Sequence, residues 1–288
     1  KNDMDLLFEF YSKYKKTKAI MCVHILGMST DMSEINKIVK KNKLILFEDT
    51  CESLGSQFNN KKLGTFGDFG TFSFYYSHQI TSGEGGMVVC KNKNDYNILK
   101  CMRSHGWSRS TDFHDQFKKK FHKIDERFLF INSGYNLRPL DITAAIANNQ
   151  LKRLSYFIKT RNLNRKILIN TIKSSKRWNN QFIFVEGHKK NHVSWFGMPI
   201  MINKKYKNIK KKFLNYLIKN KIENRPIVSG NFLNQPSIKL YDIKTEGKFK
   251  GAQEIEDMGF FIGLHTKKLS LKTARYISNK FLDIDQIK

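Results

Sequence analysis

Three ionisable side chains stand where this chain could move protons: Asp49 and Glu52, in Phe47-Glu48-Asp49-Thr50-Cys51-Glu52-Ser53, and His78, in Ser73-Phe74-Tyr75-Tyr76-Ser77-His78-Gln79. An imidazole gives and takes a proton near neutral pH, and a carboxylate at a strand end can hold a cationic partner. Residue type alone leaves the ordinary readings open. A lone histidine after a strand is commonly a surface or hydrogen-bonded residue, and an aspartate there commonly caps a turn. Ser73 by itself passes for a strand serine. Arg138 and Arg225 could each clamp a diphosphate or a carboxylate in bidentate fashion, or form a structural ion pair. His24, close to Gly27, reads equally as a core histidine, and Trp107 reads as packing.

The elements that must position these residues follow from the apolar pattern. Ala19 to His24 reads as a buried strand. Asp31 to Lys43 carries Met32, Ile35, Ile38 and Val39 at helical spacing, with cap candidates between Ser29 and Ser33. Leu44 to Phe47 is a second buried strand ending at Glu48 and Asp49. Strand, helix, strand predicts a βαβ unit and a parallel sheet, and chemistry in such sheets gathers at the carboxyl ends of the strands. Short strands at 70–75 and 86–90 flank the turn Ser82-Gly83-Glu84-Gly85-Gly86. Helical character is expected at 5–11 and 95–102, and in one long amphipathic segment from Asp141 past Arg165. Strands at 182–185 and 195–202 then bracket a very basic loop, with helices at 207–219 and 270–282. The pattern predicts an α/β chain, with a large domain over 1–155 and a smaller α+β domain over 156–288.

Composition narrows the class of function. The 288 residues hold 40% hydrophobic and 13% aromatic side chains, enough for a real core. The formal net charge is +27, yet only ten of the 52 basic residues are arginine and the lysines are spread along the whole chain. A phosphate-clamping surface would cluster arginine, so the charge reads as lysine bias over the surface and no nucleic-acid partner is expected. No apolar run approaches the ~20 residues of a membrane helix, and the first residues show no signal-peptide pattern. Cys22, Cys51, Cys90 and Cys101 are at least eleven positions apart, which excludes a zinc or redox pair at short spacing. They read as reduced thiols of a cytoplasmic protein, with no metal site.

Five segments, in order, resemble the DegT/DnrJ/EryC1/StrS sugar aminotransferases, pyridoxal-phosphate enzymes of fold type I. They are Ala19 to Gly27, Phe47 to Gly55, Gly64-Thr65-Phe66-Gly67-Asp68 through Phe74, Gly83-Glu84-Gly85-Gly86-Met87-Val88-Val89, and Gly134-Tyr135-Asn136-Leu137-Arg138 with Ala144-Ala145 and Gln150-Leu151. The resemblance implies a mostly parallel sheet in the large domain. It also implies roles: Asp49 keeps the coenzyme's pyridine nitrogen protonated, Ser73 binds its phosphate, and Asn136 reaches the phosphate of a neighbouring subunit. A homodimer with shared sites follows from that last role.

One departure decides the chemistry the resemblance implies. Position 78, where the family's aminotransferases carry the lysine that bonds the coenzyme, is histidine. Imidazole forms no stable imine, so the coenzyme, as pyridoxal or pyridoxamine 5'-phosphate, would be held non-covalently. The 3-dehydratases of nucleotide-linked 4-keto-6-deoxyhexoses share this exchange. In them the histidine takes a proton from the coenzyme's methylene carbon before the C3 hydroxyl leaves. Glu52, in place of the usual glutamine, agrees with that branch and is expected near the coenzyme's 3-oxygen. So do Ser194-Trp195-Phe196-Gly197 and the stretch from Ile222 through Arg225 and Gly230-Asn231 to Pro236. Without a Cys-x-Cys no iron–sulfur cluster is expected, which implies regeneration by an amino donor such as glutamate. The role implied is deoxysugar and surface polysaccharide synthesis. Arg138, Arg225 and His265 are the expected substrate contacts. The alternatives are a nucleotide-sugar aminotransferase and a catalytically inactive family member. Members carry further residues ahead of the point matching Lys1, so a truncated amino terminus, inactive alone, is expected.

Overall fold

A computed structural model describes residues 17–287; the helix expected over 5–11 lies outside the described residues. The first strand, β1 (Ala19–Val23), is followed by helix α1 (Met32–Asn42) and β2 (Ile45–Asp49). Asp31 caps α1 by accepting the Ser33 and Glu34 backbone N–H groups, and Lys43 ends it in the left-handed conformation. β1 and β2 pair in parallel, Val23 opposite Asp49, so the predicted βαβ unit is present. Two short strands, β3 (Gln57–Phe58) and β4 (Lys61–Lys62), precede β5 (Phe69–Ser73) and β6 (Gly86–Cys90). The first sheet has the order β1-β2-β5-β6, parallel except for its last pair. Alternation along β1 and β2 turns Ile20, Cys22 and Leu46 toward Met32 and Ile35 of α1. The opposite face, with Met21, Val23, Ile45 and Phe47, is exposed among the described residues.

Helices α2 (Lys93–Met102), α3 (His114–Lys120), α4 (Asp141–Leu151) and α5 (Leu154–Lys173) come next. The single long helix expected from Asp141 is therefore two. A break at Lys152–Arg153 separates a helix with no buried residue from one that buries eight. The Arg153 N–H bonds three residues back to the Gln150 carbonyl at 2.9 Å, a tighter turn that closes the first helix before the second begins.

The second half builds β7 (Phe182–Phe184), β8 (Asn191–His192), β9 (Gly197–Ile202), α6 (Lys210–Lys219), β10 (Asn224–Arg225), α7 (Lys250–Met258), β11 (Gly259–Gly263) and α8 (Leu271–Leu282). Its sheet, β10-β11-β9-β7, is antiparallel throughout. It packs on α5, α6 and α8 around Phe182, Phe213, Phe260 and Phe281, a core separate from that of the first sheet. β8 does not join it. Instead it pairs with β3 of the first half, so the basic loop after β7 runs back across the molecule. The halves approach closely at Gly27, with φ +96°, where a Cβ would lie 2.4 Å from the Ser194 carbonyl oxygen. Among the described residues no helix is long and apolar enough to cross a membrane.

Candidate active site

The carboxyl end of β2 delivers Asp49, and the turn that follows delivers Cys51 and Glu52. Asp49 is half-buried, and its Oδ1 accepts the Cys51 N–H at 3.0 Å, which fixes the turn. The Glu52 carboxylate accepts the Leu26 N–H at 2.9 Å. Burial holds the Glu52 carboxyl above the usual carboxylate range, opposed by the Leu26 N–H and His78 and reinforced by Asp49. Leu26 adopts φ 54°, ψ 25°, a left-handed conformation rare outside glycine, while fully buried. Its N–H is held by Glu52, and its carbonyl accepts the Phe196 N–H at 3.3 Å from the second half.

His78 lies on the loop between β5 and β6. Its Nδ1 is 2.7 Å from the Cys51 carbonyl oxygen. A carbonyl only accepts, so Nδ1 carries the proton, and in the neutral ring Nε2 keeps a free lone pair. The imidazole stands nearly perpendicular to Phe196 at 5.2 Å and to Tyr75 at 5.9 Å between ring centres. Asp49, Glu52 and His78 are thus gathered around one turn. Ser73 ends β5, the strand paired with β2; its Oγ accepts the Tyr75 N–H at 3.2 Å, leaving its own proton to donate. Arg225, on edge strand β10, is exposed but close enough to act electrostatically on the Tyr75 hydroxyl.

The other sequence-derived candidates, Asn136, Arg138 and His265, are all exposed. Asn136 is exposed and forms a bridge with Ser104, and Arg138 is exposed two residues on. His265 is exposed too; its ring Nδ1 accepts the Lys267 N–H at 2.9 Å. The loop that carries it is held by Asn164 of α5, whose side-chain amide donates to the His265 and Lys267 carbonyls.

His24 proves to be a core residue. Its Nε2 is 3.0 Å from Glu48 Oε2, and both side chains are fully buried. The same carboxylate accepts the Gly64, Phe66 and Gly67 N–H groups at 2.8, 2.6 and 2.7 Å. Burial pushes the Glu48 carboxyl up, but His24 and the Gly67 and Gly64 N–H groups outweigh it and leave it below the usual range. Glu48 thereby anchors the loop that feeds β5, and so Ser73. Sequence reasoning missed Glu48 in this role, and also Gln79 and Leu26; their partners are long-range, and only the polar type of Glu48 inside an apolar strand hinted at one. Cys51 contributes a carbonyl and not a nucleophile, because burial and the Asp49 carboxylate push its thiol up to about 11. Among the described residues no group of three or more His, Cys, Asp or Glu side chains could hold a metal ion.

A mostly parallel sheet with a carboxylate, a second carboxyl and a histidine at its strand ends, joined to an antiparallel lobe, has the architecture of the pyridoxal-phosphate transferases of fold type I. The model of the DegT/DnrJ/EryC1/StrS aminotransferase family matches residues 14–282, and the chain belongs to that family. It is 39% identical over 256 residues to the GDP-4-keto-6-deoxy-D-mannose 3-dehydratase of Escherichia coli O55:H7, covering 88% of this chain. The chain spans 64% of the length of that relative. Among solved structures, the E. coli GDP-4-keto-6-deoxy-D-mannose-3-dehydratase with bound hydrated PLP superposes with a TM-score of 0.83 at 36% identity, over 96% of this chain and 70% of that one. A GDP-4-keto-6-deoxymannose-3-dehydratase with a trapped PLP-glutamate geminal diamine matches equally, at TM-score 0.83 and 36% identity over the same shares.

Proposed function

We propose that this chain is part of an enzyme that removes the C3 hydroxyl from a nucleotide-linked 4-keto-6-deoxy sugar, with pyridoxamine phosphate held non-covalently and regenerated by an amino donor such as glutamate. The observation that carries this reading is the ring of His78. Its Nδ1 is occupied by the Cys51 carbonyl, its Nε2 is left free, and Asp49 and Glu52 stand on the same turn. The likeness to 3-dehydratases, one holding hydrated PLP and one a PLP-glutamate adduct, supports the coenzyme, the substrate class and the donor.

The residues present fit such a coenzyme: a carboxylate at a rigid strand end, a carboxyl with raised proton affinity, a hydroxyl with a proton to give, and no lysine at position 78. When bound, the coenzyme supplies an amine and a conjugated ring that takes up electrons. Asp49 would hold its ring nitrogen protonated, Glu52 would meet its 3-oxygen, and Ser73 its phosphate. Asn136 would reach the phosphate of a second subunit. His78 accepts a proton at Nε2 and returns it, while Nδ1 stays committed to Cys51. The rings of Phe196 and Tyr75 stand edge-on to the imidazole and limit its rotation. Arg138, Arg225 and His265 are proposed for the nucleotide sugar.

A homodimer accords with this reading, because Tyr135, Leu137, Leu140 and Ile142, beside Asn136 and Arg138, are all exposed apolar side chains. Domains over 1–155 and 156–288 accord with the two separate cores. A cytoplasmic setting accords with the four free cysteines. The test is mass spectrometry of products from a panel of 4-keto-6-deoxy sugar nucleotides with glutamate. Dehydration without added nitrogen is expected, falling about 10²- to 10⁴-fold in His78→Asn. An aminated product, or unchanged turnover in that variant, overturns the reading.

A further inference from the structure

The side chain next to His78 has no part in the chemistry above, yet it is among the most constrained polar groups in the molecule. Gln79 is 2% exposed. Its Nε2 donates a short hydrogen bond to the Glu52 carbonyl and also faces the Ser194 carbonyl at 3.5 Å. Its Oε1 is buried with no hydrogen-bond partner. Turning the amide over would set Oε1 against two carbonyl oxygens, so the orientation follows from the partners. A buried acceptor left unpaired costs stability, and an apolar residue of similar volume would avoid that cost. The donor end must therefore provide something an apolar side chain cannot.

Two registers coincide here. Consecutive residues 78 and 79 grip the carbonyls of consecutive residues 51 and 52. Holding the Glu52 carbonyl fixes the Glu52–Ser53 peptide, one plane along from the Cys51–Glu52 peptide whose carbonyl chooses the tautomer of His78, so the two anchors together set the turn. The second contact fixes Ser194, two residues before the Phe196 ring that packs on the imidazole. Phe196 is tied back through Leu26 to the Glu52 carboxylate. The circuit runs from the histidine through both halves of the molecule and closes on Gln79.

We propose that Gln79 is a positioning residue: by pinning the Glu52 and Ser194 carbonyls it holds His78 in the Nδ1–H tautomer, with Nε2 bare and directed away from Cys51. This deepens the reading of His78 as the base and rests on it for its catalytic meaning, whereas the tautomer is a property of the chain itself.

The experiment uses the full chain with 15N-labelled histidine, and needs no coenzyme or substrate. The eight histidines are separated by subtracting the spectrum of His78→Asn, and the ratio of the two neutral tautomers of His78 is read at pH 8. Wild type should favour Nδ1–H. In Gln79→Met, a substitution close in volume, that preference should fall about fivefold, the equivalent of one net hydrogen bond. Gln79→Leu also removes the donor, so it should do the same and serves if the methionine variant does not fold. Thermal melting establishes that each variant read is folded. A folded variant in which His78 keeps its wild-type tautomer ratio overturns the proposal. If the ratio shifts as expected while His78→Asn leaves turnover intact, the positioning stands and the catalytic reading falls.

Discussion

Replacing Glu48 by glutamine tests whether the loop behind the site is held as the geometry indicates. In the wild type four donors converge on two carboxylate oxygens: Phe66 and Gly67 on Oε1, and Gly64 and His24 on Oε2. Glutamine offers one oxygen, which can serve two donors, and sets an NH₂ group against the other two. An unmade buried hydrogen bond costs about 1–3 kcal/mol, so two cost about 2–6, with about 4 kcal/mol as the central value. Urea unfolding followed by far-UV circular dichroism should register this. With an m-value of about 3 kcal/mol/M, the midpoint falls by about 1.3 M at pH 7 while m is unchanged. The pH dependence supplies a second arm. The Glu48 carboxyl is held below its ordinary value of 4.5, so its contribution is complete above 4.5 and is lost as pH falls through the depressed folded value. The gap between variant and wild type should therefore narrow in acid. A midpoint shift under about 0.3 M at pH 7, or a gap that widens in acid, would refute the reasoning.

Glu52 should behave in the opposite sense. Its folded carboxyl lies above the ordinary 4.5, so its contribution is complete below that value and is lost as pH rises through the raised one. Glu52→Gln, which keeps an oxygen for the Leu26 N–H, should gain stability relative to wild type between pH 4.5 and 7 in thermal melts, and an unchanged difference across that range would count against it. Burial also pushes the Cys22 and Cys51 thiols up to about 11, so at pH 8 iodoacetamide should modify both at least about tenfold more slowly than a free thiol. Peptide mapping over a time course reads this, and rapid labelling of Cys51 would contradict it.

What could be read along the chain was whatever carries an apolar run or a period. β1 and β2 were legible as short unbroken apolar runs, and α1 because its apolar residues repeat at about 3.6 and Asp31 is a good cap. α3 escaped because it buries nothing and so has no apolar stripe. β3, β4 and β8 escaped because two-residue strands are too short to show alternation. α7 and β11 run into each other at Met258 and Gly259 without a loop, so no boundary marks the change of period. In the site, Asp49, Glu52, Ser73 and His78 were legible from residue type and segment order. Asn136, Arg138 and His265 were named the same way, and in this chain all three are exposed.

By itself the sequence determined the elements marked by an apolar run or a helical stripe, and the residue types available for proton chemistry at positions 49, 52 and 78, because these depend on side-chain type and near neighbours. Which nitrogen of His78 is left bare was decided only by the tertiary structure. That choice belongs to a carbonyl 27 residues away, to a glutamine bonded across 115 residues to Ser194, and to a phenylalanine ring from the other half. An imidazole has two nitrogens of nearly equal affinity, and only the fixed acceptor that folding places against one of them selects the other.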